Sequence, residues 1–94
     1  MASFELGKVV VTRGITERVE SDIDFQCFVN RSLLLYCNGF WGALEDEDKQ
    51  LNDEAVKNGN RIHAAYIYPK TNEKIWIITE WDRSVTTILF PSEY

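Results

Sequence analysis

The stretch from Arg61 to Phe90, RIHAAYIYPKTNEKIWIITEWDRSVTTILF, limits what this chain can fold into more than any other. Three runs rich in β-branched and aromatic residues, Arg61 to Tyr68, Lys74 to Trp81 and Val85 to Phe90, are separated by the turn-forming segments PKTNE and DRS. Such side chains suit a pleated, half-buried surface, and Pro, Asn, Asp and Ser between them punctuate strands. The pattern predicts a three-stranded antiparallel meander. With Asp82-Arg83 as the second turn, Glu80 faces Val85, Thr79 faces Thr86, Ile77 faces Ile88 and Ile75 faces Phe90. With Lys70 to Glu73 as the first loop, Tyr68 faces Ile75, Tyr66 faces Ile77 and Ala64 faces Thr79.

Successive side chains alternate between the faces of a sheet, so these pairings sort the residues into two sets. Ile62, Ala64, Tyr66, Tyr68, Ile75, Ile77, Ile88 and Phe90 form one face, the expected core. His63, Ala65, Ile67, Trp76, Ile78, Glu80, Val85, Thr87 and Leu89 form the other. A solvated face does not normally hold Trp, Ile and Leu together. A cover is therefore expected there, either Val9 to Val11 and the N-terminal segment or another molecule.

Upstream, Met1 to Gly7 shows no clear pattern, and Lys8 to Thr12, KVVVT, reads as a short strand that extends the meander or covers an edge. Gly14 is expected to break it, with a brief helix from Ile15 to Ser21 and a cap at Asp22 or Asp24 for the next. Phe25, Phe28, Val29, Leu33 and Tyr36 recur at helical spacing with Ser32 inside the same arc, which predicts a core helix over Phe25 to Tyr36. Leu34 projects from its opposite side. Asn38-Gly39 supplies the stop, and Trp41 in the following aromatic turn is placed to plug the end of the core.

ALEDEDKQLNDEAVKNG reads as a second helix ending at Asn58-Gly59. Its acidic opening, Glu45 to Asp48, complements the positive end of the helix dipole. Projection at roughly 100° per residue puts Asp48 and Asn52 in the arc of Leu44, Leu51 and Ala55, facing partly inward. The expected architecture is one α+β domain over residues 1–94: a three-stranded antiparallel meander plus a short N-terminal strand, packed against two helices on the Tyr66/Ile77/Ile88 face. Strand order is open.

Composition narrows the chemistry. A chain of 94 residues, 45% hydrophobic and 27% charged, supports a single core. The formal charge of −5 disfavours nucleic-acid binding through a broad basic surface and leaves basic protein partners open. Cys27 and Cys37 sit ten apart on one expected helix, roughly 15 Å at 1.5 Å per residue, so they are expected as free thiols serving as small buried apolar residues. One His without CxxC gives too few ligands for a closed zinc site, and neither phosphate-binding glycine loops nor an EF-hand spacing occurs, so no metal or cofactor is expected. With no apolar run of membrane-spanning length and no signal-like opening, the expected setting is cytoplasmic and away from membranes.

Two constellations carry candidate chemistry. Asp48 and Asn52, one turn apart on a helix, suit either bracing of backbone amides in the Phe40 to Ala43 turn and of Arg61, or a ligand. His63 and Glu80 fall on neighbouring strands of the outer face, where a carboxylate can hold an imidazole tautomer, as general bases require. A nucleophile is missing, since Ser84 and Ser92 lie in turns without a glycine-rich elbow. Trp76, Ile78, Ile67 and Leu89 offer a partner-binding patch, Trp81 with the turn bearing Arg83 offers a recognition edge or closes the core against Ile62, and Glu45, Glu47 and Asp48 offer an acidic flank.

The ending IWIITEWDRSVTTILFPSEY resembles that of a small, largely uncharacterised bacterial family carried on chromosomes, plasmids and prophages, whose pattern runs GDWG, an acidic helix with D and N, G-x-R-I-x-S-A-Y, then I-W-I-I-T-E-x-D-R-S-x-T-T-x-L-x-P-x-E-Y. The matching stretches are Gly39-Phe40-Trp41-Gly42, Glu47-Asp48 with Asn52, Gly59 to Tyr66, and Ile75 to Tyr94. Two positions depart: Phe40 stands at the Asp of GDWG and Tyr36 at a preceding His. The resemblance implies an accessory protein of a mobile element, with anti-defence action by association, and the two departures favour binding over chemistry. The expected function is a non-enzymatic module that occludes a host protein. The alternatives are a small-ligand or catalytic protein using Asp48, Asn52, His63 and Glu80, which requires those groups to converge on one pocket, and a homodimer through the outer sheet face.

Overall fold

A computed structural model describes residues 4–94. Four strands, β1 (Lys8–Val11), β2 (Ile62–Ile67), β3 (Lys74–Thr79) and β4 (Val85–Leu89), form a mixed sheet in the order β1-β4-β3-β2. The meander is antiparallel as expected, and β1 joins β4 in parallel. Three helices accompany the sheet: α1 (Arg13–Ser21), α2 (Ile23–Cys37) and α3 (Asp46–Asn58). The fold is α+β.

The second hairpin has the expected register, with Thr79 opposite Thr86 and Ile77 opposite Ile88. The first differs by two residues: Tyr66 faces Ile75, Ala64 faces Ile77 and Ile62 faces Thr79. Tyr68 leaves the strand and donates its N–H to Glu73 O, while its carbonyl accepts from Thr71 and Asn72, so Pro69 to Asn72 form the turn. Proline has no N–H to give a ladder, which places it in the turn and not in the strand. A slip of two leaves every side chain on its original face. The core face is therefore as the alternation implies: Ile62, Ala64, Tyr66, Tyr68, Ile75, Ile77 and Ile88 are buried, and Phe90 packs beside them.

Helix α2 is the main element over that face. Phe25, Val29, Ser32 and Tyr36 are its buried stripe and Leu34 lies on the exposed side. Asp22 caps it by accepting the amide hydrogens of Asp24 and Phe25. Cys27 is exposed and Cys37 half-buried, both free, so the thiols are not the buried apolar residues expected of them. The strand ends at Val11, and helix α1 begins at Arg13 and includes Gly14, which is therefore a helical residue and not the break. A Cβ at Gly14 would come within 2.7 Å of the Glu93 carboxylate. That carboxylate accepts the Gly14 and Phe90 amides, each at 2.9 Å, and the Thr12 hydroxyl at 2.6 Å, tying the C-terminal 3-10 turn (Pro91–Glu93) to the N-terminus of α1. These bonds, the Thr12 hydroxyl first, hold the Glu93 carboxyl below its usual range.

Phe4 and Leu6 come from the segment whose sequence shows no pattern, yet both pack on the core. The Phe4 ring meets Tyr36 edge-on with centroids 5.5 Å apart and lies 6.2 Å from Trp41. Beneath them runs a buried polar chain. Tyr36 Oη and Thr79 Oγ1 are 2.6 Å apart, Thr79 Oγ1 and Thr86 Oγ1 2.8 Å, and Thr86 donates to Leu6 O at 2.7 Å. A carbonyl only accepts, so the Thr86 proton is committed to Leu6. Thr86 must then accept from Thr79, and Thr79 from Tyr36. The direction of the whole chain follows from its last member. Burial raises the Tyr36 pKa, keeping the phenol protonated as this direction requires.

Thr79→Val, nearly isosteric, removes the middle link and leaves the Tyr36 hydroxyl buried without its acceptor, at an expected cost of about 2–3 kcal/mol. Tyr36→Phe removes only the terminal donor and should cost about 1 kcal/mol. Urea unfolding of both variants checks the order; equal costs would contradict the directed chain.

Candidate functional site

The residues singled out from the sequence fall into three neighbourhoods. The first is the edge of β2. In an antiparallel ladder alternate residues point their backbone groups away from the partner strand. Here those are His63, Ala65 and Ile67. Asn52 donates Nδ2–H to His63 O at 2.9 Å and accepts the His63 N–H at Oδ1, 3.2 Å. A carboxamide carries the same donor and acceptor as a peptide, so Asn52 pairs with the strand edge as another strand would. Trp41 O accepts the Ala65 N–H at 3.4 Å and the Ala43 N–H donates to Ala65 O at 2.7 Å, continuing the closure. Gly42, with φ +77°, makes this approach possible: a Cβ there would lie 1.9 Å from Ala65 O.

Helix α3 is thereby fixed along the β2 edge and not stacked with α2 on the sheet face. Ala55 and Asn52 are its buried residues. Asp48, expected to turn partly inward, is exposed, and the bracing expected of the Asp48-Asn52 pair is done by Asn52 alone, on His63. Trp41 does plug the core end, 3% exposed, and its indole donates to Asp53 at 2.9 Å. Glu45, Glu47 and Asp48 stand in solvent at the start of α3.

The second neighbourhood is the outer sheet face. Ile78 and Leu89 are buried and Trp76 is half-buried. The His63 ring meets Trp76 edge-on at 4.5 Å, and Trp76 meets Tyr94 at 5.7 Å. Arg61 lies over the Tyr94 ring and donates to its hydroxyl at 2.9 Å. The C-terminal turn thus folds back over this face, while Phe4 and Leu6 go to the opposite one; Met1 to Ser3 lie outside the described residues. Glu80 approaches Arg61 at 3.5 Å, and the residue opposite His63 is Ile78. Burial first, then the Arg61 charge, pulls the His63 pKa below its ordinary value, with Asp48 acting weakly against them.

The third neighbourhood is the β3–β4 turn. Trp81 projects into solvent, 67% exposed. Arg83, with φ +61°, points inward: Nη2 donates to Ala55 O at 2.8 Å, and Nη1 to Asn60 O at 2.7 Å and Glu80 O at 3.1 Å. It binds the C-terminal end of α3, where cations meet the negative end of the helix dipole. Asp82 accepts the Ser84 amide and hydroxyl and stabilises the same turn.

Asn52 meets the His63 backbone, Asp48 stands in solvent and Glu80 meets Arg61. None of them lines any of four depressions formed by described residues. Among the described residues no group of three His, Cys, Asp or Glu side chains is placed to hold a metal, and no helix is long and apolar enough to cross a membrane. The sequence reading singled out Ile67 but not the strip it forms with Leu35 and Phe40 beside the end of α2. Leu35 and Phe40, the latter 63% exposed, adjoin one depression with Lys49 and Asp53; Leu35, Phe28 and Ile67 line the next, against Tyr66. Beyond it, Phe28, Arg31, Lys70 and Tyr68 line a third, and the Tyr68 hydroxyl is buried with no hydrogen-bond partner. Leu35 and Phe40 break the amphipathic pattern, the only sequence signal for this strip.

Comparison with protein-family models, with curated proteins and with solved structures finds no match to this chain.

Two outcomes test this geometry. Asn52→Ala should cost about 2 kcal/mol in urea unfolding, because the His63 N–H and C=O lose their partner at a covered edge; a change within error would contradict the pairing. His63 is the sole histidine, so its proton resonances titrate unambiguously. The midpoint should fall below the ordinary value near 6.5. A depressed pKa means that the unfolded chain binds the extra proton first, so the His63 contribution to stability is complete above about pH 6.5 and is lost as the pH falls below it. A midpoint at or above 6.5 would contradict the half-buried setting.

Proposed function

We propose that this chain is a non-enzymatic protein-binding module that acts by covering a site on another protein. The reading is supported above all by the exposed apolar strip Leu35-Phe40-Ile67, floored by Phe28 and Tyr66 and adjoining the unpartnered Tyr68 hydroxyl. Aliphatic and aromatic side chains grouped in this way lose free energy to water that a partner would recover, at roughly 25 cal/mol per Å² of apolar surface.

Helix α3, which sets Lys49 and Asp53 beside Phe40, opens on the exposed Glu45, Glu47 and Asp48. A partner of matching chemistry presents an apolar projection beside Lys or Arg. Trp81, exposed at the β3–β4 turn, is a second anchor of the type found at interface centres. In this reading Trp76, Ile78, Leu89 and Arg83 support the surface from within and do not touch the partner. The resemblance to plasmid- and prophage-borne proteins directs the search to bacterial host proteins, with inhibition of a defence system as the first class to examine. Phe40 is central, because it puts an aromatic side chain at the position where that resemblance has a carboxylate.

Affinity capture of the tagged chain from bacterial lysate tests this, with wild type beside Phe40→Asp and a Glu47→Lys/Asp48→Lys double variant, each checked for folding by circular dichroism. One stoichiometric host protein should be retained by the wild type and lost from both variants. Retention of nothing at low or moderate salt, or retention that both folded variants preserve, would contradict the reading.

A further inference from the structure

The two edges of the sheet are unlike. Along β2, Asn52, Trp41 and Ala43 take up the outward groups of His63 and Ala65. Among the described residues, no backbone hydrogen bond reaches the outward side of β1. Lys8 donates to Ser84 O at 3.0 Å and Thr12 to Ile88 O at 3.1 Å. A parallel ladder engages alternate residues, so the N–H and C=O groups of Val9 and Val11 point away from the sheet. Their side chains, 42% and 48% exposed, line an open apolar trough of about 320 Å³ with Ile15, Val19, Leu33 and Ile88. Unpaired backbone at an edge is a template for another strand, and the trough favours small apolar side chains at alternate positions.

We propose that β1 pairs antiparallel with β1 of a second copy of this chain about a two-fold axis at Val10, joining two four-stranded sheets into one continuous sheet. The segment KVVV is its own complement. With Val10 on the axis, Val9 faces the partner's Val11, and Val11 the partner's Val9. Each pair exchanges both backbone hydrogen bonds, and the side chains of each pair share one face, so the partner's valines lie beside the trough. Lys8 faces the partner's Thr12, which keeps the two lysines roughly 13 Å apart at about 3.3 Å per residue. Each contact recurs with the two chains exchanged, Val9 on Val11 and Val11 on Val9, the mark of an isologous contact that closes at two. Closure of the β2 edge by α3 and the Phe40 to Ala43 turn stops further growth. The formal charge of −5 on each chain opposes association, so added salt should strengthen the dimer by screening. The Leu35-Phe40-Ile67 strip is not part of this contact, and a monomeric result would leave the partner-binding reading intact.

Sedimentation equilibrium of the full chain at low and moderate salt tests the proposal, with Val11→Pro and Val9→Lys beside the wild type. Val11→Pro deletes an outward N–H and leaves the inward bonds of Lys8, Val10 and Thr12 to β4; Val9→Lys puts a cation over the apolar trough. The wild type should sediment at twice the chain mass, more completely at moderate salt. Both variants, with unchanged circular dichroism, should dimerise at least about tenfold more weakly. If a variant fails to fold, amide exchange in the wild type decides: the Val9 and Val11 amides should exchange slowly in concentrated and quickly in dilute solution. A wild type that stays monomeric, species larger than a dimer, a dimer that folded variants retain, or exchange at Val9 and Val11 independent of concentration would overturn it.

Discussion

A sheet edge must give its backbone groups to something, and the closure of the β2 edge is the constraint from which the rest of this structure follows. One carboxamide, that of Asn52, pairs with both backbone groups of His63, and the turn through Gly42 does the same for Ala65. These contacts fix where α3 lies. Its position in turn brings the Ala55 and Asn60 carbonyls within reach of Arg83, and the guanidinium holds the β3–β4 turn against the end of the helix. The hairpin, the helix and the aromatic turn are one connected unit because an edge was covered with side-chain and loop groups in place of another strand.

The polar residues that give the C-terminal third its distinctive sequence are mostly committed to this kind of work. Thr79 and Thr86 carry the buried chain from Tyr36 to Leu6 O, Asp82 and Ser84 shape a turn, Glu93 receives the N-terminus of α1, and Tyr94 lies against Trp76 under Arg61. Glu73 is similarly held, accepting two bonds from Arg18, which depress its pKa and tie α1 to the β2–β3 turn. A cluster of charged and hydroxyl side chains in sequence need not be an active centre; here each has a partner that accounts for it. Exposed apolar side chains include Leu34, Leu35, Phe40, Leu51, Ile67 and Trp81, and the valines of β1 stand at the open edge.

Much of the fold was legible because it is written in short-range periodicity. The alternation in the meander assigned both faces, the spacing from Phe25 to Tyr36 gave the buried stripe of α2, and Asp82-Arg83 set the second register. What was not legible depends on contacts between distant segments. The first hairpin slipped by two because Pro69 turns the chain before Lys70, a change that alternation cannot detect since both registers bury the same side chains. Phe4 and Leu6 have no periodic neighbours to announce them, and the parallel pairing of β1 with β4 crosses nearly the whole chain. The outer face needed a cover, but its C-terminal source, Tyr94, adds no hydrophobic run. Asn52 and Asp48 looked equivalent on a helical projection; only the position of the β2 edge separates the amide that pairs with it from the carboxylate left in water.

Amide hydrogen exchange at the β2 edge tests the central claim most directly, since it reads each outward N–H by itself. In the wild type, His63 and Ala65 should exchange as slowly as the ladder amides of β2 that face β3, although both point away from the sheet. In Asn52→Ala, the His63 amide should lose its protection while Ala65, held by Trp41 O, keeps it. Fast exchange at both positions in the wild type, or protection of His63 that survives the loss of the Asn52 carboxamide, would contradict the account of how this fold is closed.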